Sequence, residues 1–405
     1  MSDVFESPLR ELKEFEDLDR DLNRKKGPVL VSGCMDSQKV HLMYEAAKEV
    51  SWKLVVTYDD TRAREIYEDF RNFEPGVSLY PARDLLFFNA DIHGNLLTKQ
   101  RMAVFRRLME EKSGVVVTTF DGLMDHLLPL AFLQKQILEV GSGQTLDIAE
   151  WKEKLVELGY ERVAQVDGMG QFSIRGGIID VFPLTEELPV RIELWDDEVD
   201  SIRTFDSQRS IEELERVLVY PATEMVLTKQ QIADGREAIE KEAKKYEKEL
   251  RAQLKTEEAA RIHSIISELS DGLKEGWKQH GLDGYIHYFC RDSVSFLDYF
   301  PEEDTVIYLD EPERLKEKGA TVEEEFRESM ISRLEHGYLL PGQTGLLYPA
   351  REMLARTQKS RTAYLTGLEQ KLSGFTVNGR YSLSVKNVNS YQNGFELLIK
   401  DLTRW

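Results

Sequence analysis

At 405 residues the chain exceeds one ordinary domain, and about 150 residues per domain gives two or three. Its formal net charge of -20 excludes non-specific binding to DNA or to an acidic membrane by the bulk surface, since phosphate binding needs clustered cations. Two cysteines, Cys34 and Cys290, give neither a disulfide framework nor metal-ligand spacing. With no signal-like start and no apolar run of about 18 residues, the expectation is a cytoplasmic protein with no metal and no membrane partner.

Leu9, Leu12, Phe15, Leu18 and Leu22 recur at helical spacing, and Gly27-Pro28 stops that packing helix. A strand, Val29 to Val31, then a loop starting at Gly33 and a helix to about Val50 have the layout of a phosphate-binding loop. Against GxxxxGK[ST], Gly33 and Lys39 are in place, but Gln38 replaces the second glycine and Val40 the magnesium-binding hydroxyl. The expectation is an inactive site and an ordinary strand-to-helix connection, with residual nucleotide binding as the alternative. Strands and helices keep alternating through Tyr80 and again to Thr118, which predicts a parallel sheet with helices on its faces. Between them lie the loop "RDLLFFNADIHGN" and an amphipathic helix with Arg101, Arg106 and Arg107 on its polar side. His93 and His126 read as loop or packing residues, because one imidazole alone builds neither a triad nor a metal site.

After Pro129 the composition shifts. A strand ends at Gly141-Ser142-Gly143, a helix runs from about Asp147 to Leu158, and the stretch from Gly168 to Ser210 reads as one antiparallel sheet. Phe172 and Ile174 alternate with Ser173 and Arg175, and Val190, Ile192 and Leu194 with Arg191, Glu193 and Trp195. Gly176-Gly177 marks a bulge or sharp bend, and Asp196-Asp197 a turn. Residues from about 130 to 220 are thus a small inserted α+β domain. Gln230 to about Leu273 predicts one long amphipathic helix or a hairpin of two, loosened at its end by Gly272 and Gly276. Val306 to Leu309 before Asp310-Glu311 has the layout of the second acidic motif of a nucleoside triphosphatase, or of a strand ending in a turn. With the loop at Gly33 lacking its own metal ligand, no complete site is expected. Two short strands, a turn at Asn393-Gly394 and the first turns of a helix close the sequence, as if a further domain begins there and is cut off.

The combination "GQFSIRGGIIDVFP", "RIELWDDEVDSIRTFD" and "SQRSIEELERVLVYPATE" resembles the amino-terminal part of the bacterial transcription-repair coupling factors (Mfd), and more distantly the UvrB component of the excision-repair nuclease. The resemblance extends along essentially the whole chain. It implies an α/β fold in which residues 1–129 and 221–360 form one split helicase-like domain with a degenerate nucleotide site, interrupted by domain 130–220. Residues 361–405 would be a linker and the truncated start of a further domain.

The resemblance also implies a function. In both families the inserted domain is the docking surface for the damage-recognition protein UvrA, and the arginines of that face fall here on Arg162 and Arg175, with Ser173 standing where a third would be. Arg175 can instead pair internally with Asp180 or Glu193. The expected role is a non-catalytic adaptor without cofactors. The family's polymerase-binding and DNA-translocating parts lie beyond Trp405, so contacts with RNA polymerase and DNA would run through those missing regions. Alternatives are a UvrB-like ATPase that grips DNA, and an autoinhibitory module masked against the carboxy-terminal motor of its own chain.

Overall fold

The computed structural model describes residues 8–35, 37–83, 94–206, 209–275, 281–359, 361–383, 391 and 394–404. Most of the loop at 83–95, with His93, as well as Gly276 and Asn393, lies outside the described residues. In chain order the strands are β1 (Val29–Ser32), β2 (Trp52–Thr57), β3 (Ser78–Tyr80), β4 (Gly114–Thr119), β5 (Leu138–Gly141), β6 (Glu161–Arg162), β7 (Gln171–Arg175) and β8 (Ile178–Phe182). They continue with β9 (Val190–Trp195), β10 (Glu198–Asp206), β11 (Arg209–Glu213), β12 (Arg216–Val219), β13 (Thr305–Asp310), β14 (Thr362–Thr366) and β15 (Gly379–Ser382).

Seven of them form a parallel sheet in the order β15-β1-β14-β13-β2-β4-β3. Its central strands are apolar runs because both faces are covered. Val31, Val55, Val117 and Leu365 point into one core with Phe15, Leu22 and Phe70, whereas Leu30, Leu54, Val116 and Tyr364 point into the other. That second core continues into the smaller sheet through Phe172, Ile179, Val181 and Ile192. Residue 360 is therefore no boundary for this sheet. The short run "TAYLT" of β14 carries no turn signal of its own, yet it is buried throughout and pairs with both β1 and β13. β15 then adds an edge beside β1.

The second sheet has the order β11-β10-β9-β8-β7-β6, antiparallel except for the β6–β7 pair. It extends past the expected bounds at both ends. β6 adds an edge before Gly168, and β11 runs beyond Ser210 to Glu213. Gly176 and Asp196, at φ of +60° each, make the β7–β8 and β9–β10 turns. β5 and β12 form a separate two-stranded ladder. The helix after Asp147 begins as expected, with the Asp147 carboxylate capping the amides of Ala149 and Glu150. Of the two readings of the charged region, the hairpin is observed: Lys229–Ala252 and Thr256–Glu275, turning at Leu254 in the left-handed region.

Two local expectations fail for reasons of packing. The helix after Gly33 is Ser37–Glu45 and does not reach Val50. Ala47 takes φ of +56°, its amide is held by Asp19, and the Lys53 ammonium from β2 caps the carbonyls of Met43, Tyr44 and Ala46. Arg101 is not on a polar face of helix Gly94–Glu110 but wholly buried. Its Nε–H is shared between the two carboxylate oxygens of Glu224 at 2.9 and 3.0 Å, its Nη1 donates to the Pro81 carbonyl, and the guanidinium lies over the Tyr80 ring. Arg83 joins Glu224 to Asp283, both at 2.8 Å. Glu224, just beyond the two-stranded ladder, is thereby tied to both flanking parts of the chain. Burial raises Asp125 beside them to about 6, against the opposing pull of Arg101 and Arg83.

Candidate functional site

The two candidate nucleotide motifs do meet, but on each other. Lys39, near the start of helix Ser37–Glu45, sends its ammonium to Asp310 at 2.5 Å and to Glu311 at 2.7 Å. The lysine is 4% exposed and Asp310 0%. Asp310 also accepts from the Thr57 hydroxyl at 3.0 Å and from Arg62 at 3.2 Å, and the Glu311 carboxylate accepts from the amide of Gly367 at 2.8 Å. Burial acts most strongly on Arg62 and against its charge, yet the Asp310 and Glu65 carboxylates together outweigh it and raise the arginine above its usual value. The acidic motif and the lysine of the phosphate loop thus meet as an internal ion pair.

The neighbours of this pair are engaged in packing and in the loop's own hydrogen bonds. Val40 is fully buried in the core, so no side-chain hydroxyl faces a metal position there. Gln38 accepts a bond from the Met35 amide inside its own loop. Gly33, at φ of +89°, is needed because a Cβ there would lie 2.1 Å from the Leu383 carbonyl oxygen. Among the described residues no cluster of three or more His, Cys, Asp or Glu side chains could hold a metal ion. His126 is a packing residue as read: it stacks on Tyr348, its Nδ1 lies 2.9 Å from the Ser293 hydroxyl, and burial beside His287 pushes it down to about 4.

The outer face of the second sheet is built differently. Register places Ser173, Asp180, Arg191 and Arg203 in one row across β7 to β10, and Arg175, Ile178, Glu193 and Ser201 in the next. Asp180 is 2% exposed and receives Arg191 twice, at 2.6 and 2.9 Å, as well as Arg175 at 2.7 Å. Glu193 pairs with Arg203. Of the two internal partners open to Arg175, it has taken Asp180. Its side chain stays 48% exposed.

Arg162, on the edge strand β6, is exposed and has no ion pair or side-chain hydrogen bond among the described residues. Ser173 is the exception on this face. It shares the row direction with Arg175, but the segment at Ala164 covers it, and its hydroxyl donates to the Ala164 carbonyl at 2.9 Å. At 1% exposure it does not form part of the accessible surface.

Residues 138–225, from β5 to just past Glu224, match the UvrB interaction domain. The chain is 32% identical over 343 residues to a transcription-repair-coupling factor of Bacillus subtilis (strain 168), covering 84% of this chain and 29% of that one. It is 29% identical over 372 residues to that of Staphylococcus haemolyticus (strain JCSC1435), covering 88% and 30%. Against that of Staphylococcus aureus (strain MRSA252) it is 29% identical over 362 residues, covering 85% and 29%. The chain belongs to the amino-terminal, UvrB-like region of the transcription-repair coupling factor family. It spans less than a third of the length of these coupling factors.

Within this coupling-factor region, the segment matched as an interaction domain carries both the exposed Arg162 and the half-exposed Arg175. Sequence reasoning singled out neither the buried anchor of that segment, Arg101 with Glu224, nor its most exposed aromatic, Trp195 at 82%. A signal for Trp195 was available, since period two places it on the same side as Arg191 and Glu193. None of the described helices is long and apolar enough to cross a membrane.

Proposed function

We propose that this chain is a non-catalytic adaptor that docks UvrA on the outer face of its six-stranded sheet, and so helps to link RNA polymerase stalled at a lesion to excision repair. The observation that carries the reading is the contrast in free cations. Arg162 is exposed and unpaired among the described residues on the segment matching the UvrB interaction domain, while the phosphate-loop lysine is consumed internally. A guanidinium suits the task because its planar fork pairs bidentately with partner carboxylates. Arg162 and Arg175 are the proposed contacts. Ser173, being covered, is left out.

In this reading residues 130–220 are the docking unit, and 1–129 together with the chain from 221 through β14 and β15 are its split scaffold. Contacts with polymerase, with DNA and with a translocating motor belong to other parts of a coupling factor. Arg162→Glu and Arg175→Glu should each weaken UvrA binding about tenfold or more in a titration, with unfolding little changed. Unchanged affinity in both would sink the docking assignment. DNA-stimulated ATP turnover that Lys39→Ala abolishes would favour the UvrB-like ATPase instead.

A further inference from the structure

Trp195 is 82% exposed, whereas Trp52 and Trp151 are 4% and 8% exposed. It stands at the end of β9 opposite Glu198, on the same face as Glu193 and, across Ile178, Arg175. Its backbone is braced on both sides. The Leu194 amide donates to the Gly177 carbonyl of the neighbouring turn at 2.8 Å. On the other flank a strap from Gly143 to Leu146 exchanges three bonds of 2.8 Å with Asp197 and Val199. A rigid hairpin that presents an indole to water does nothing for the stability of its own sheet. It does lower the ordering cost of seating that indole in another surface.

We propose that Trp195 is the apolar anchor of the docking face, entering an apolar recess of the partner while Arg175 takes a carboxylate at its rim. This rests on the docking reading above and names its central contact. Asp196, Asp197 and Glu198 follow directly at the hairpin tip, so the recess should be rimmed by cations on that side and by acid on the side of Arg175. The same acidic tip disfavours a second copy of this chain, which carries a net charge of -20 and would bring like charges together. Buried aromatic anchors of this kind carry a disproportionate share of binding energy.

The test is a titration of UvrA with the full 405-residue chain and its variants. Trp195→Ala should weaken binding about 30-fold or more, Trp195→Phe much less, and thermal unfolding of both should match the parent. Wild-type affinity in Trp195→Ala, with Arg175→Glu still impaired, would remove the anchor and leave the docking face standing. Loss of effect in both variants would remove both. Concentration-dependent self-association in sedimentation, abolished by Trp195→Ala, would make a second copy the occupant and overturn the proposal.

Discussion

Lys39, on the helix that follows β1, and Arg175, on β7 of the second sheet, are each paired with an aspartate, at 2.5 and 2.7 Å. The pairs differ in what they leave over. Lys39 is 4% exposed and holds two carboxylates, so little of its charge reaches a ligand. Arg175 is 48% exposed and uses one terminal nitrogen on an aspartate that Arg191 already grips twice. In distance alone the two ion pairs are alike. Burial, and whether the acid is satisfied without the cation, separate a closed site from an open one.

The comparison breaks first at Lys39. Lys39→Met would leave Asp310 and Glu311 facing each other with Arg62 and Thr57 as remaining partners of the aspartate. Removing one member of a buried pair costs about 3–5 kcal/mol, since the remaining charge stays desolvated. Denaturant unfolding should show a loss of that order. A loss below about 1 kcal/mol would mean that the lysine is not a structural counter-charge.

Gly33→Ala tests the same region with a smaller effect. In a working phosphate loop a glycine admits the ligand, whereas here it admits the Leu383 carbonyl, and its φ is +89°. Strain at such a position costs roughly 1–3 kcal/mol. The loss should localise to the β1–β15 edge, so exchange of the Leu383 amide, which donates to the Ser32 carbonyl, should accelerate most. Unchanged exchange there would move the strain elsewhere.

Much of this fold was legible because the relevant signals are local. Alternation from Phe172 to Trp195 marks a sheet with one buried face, and short apolar runs such as "LVV" of β2 mark strands buried on both. The missing hydroxyl at Val40 was equally readable. What stayed hidden depends on residues far apart in sequence. Lys39 and Asp310 are separated by 271 positions and Arg101 and Glu224 by 123, so no window shows that the acids are there. Arg101 on an amphipathic helix looks polar until its partners are known. Helix Ser37–Glu45 ends early because Lys53 caps it from the next strand, and Ser173 has the right parity but lies beneath a segment whose path parity does not describe.

The smallest effect on stability, and the sharpest on the comparison, is expected at Arg175. Arg175→Ala removes one hydrogen bond from Asp180 but leaves both bonds from Arg191 in place, so the buried carboxylate keeps a bidentate counter-charge. An exposed pair of this kind contributes at most about 1 kcal/mol. Unfolding of Arg175→Ala should therefore stay within that margin, while UvrA binding falls. Arg191→Ala should do the reverse in stability, because Asp180 at 2% exposure would then depend on Arg175 alone. If Arg175→Ala cost as much stability as Lys39→Met, Arg175 would be a second closed site, and Arg162 alone would carry the cationic part of the proposed face.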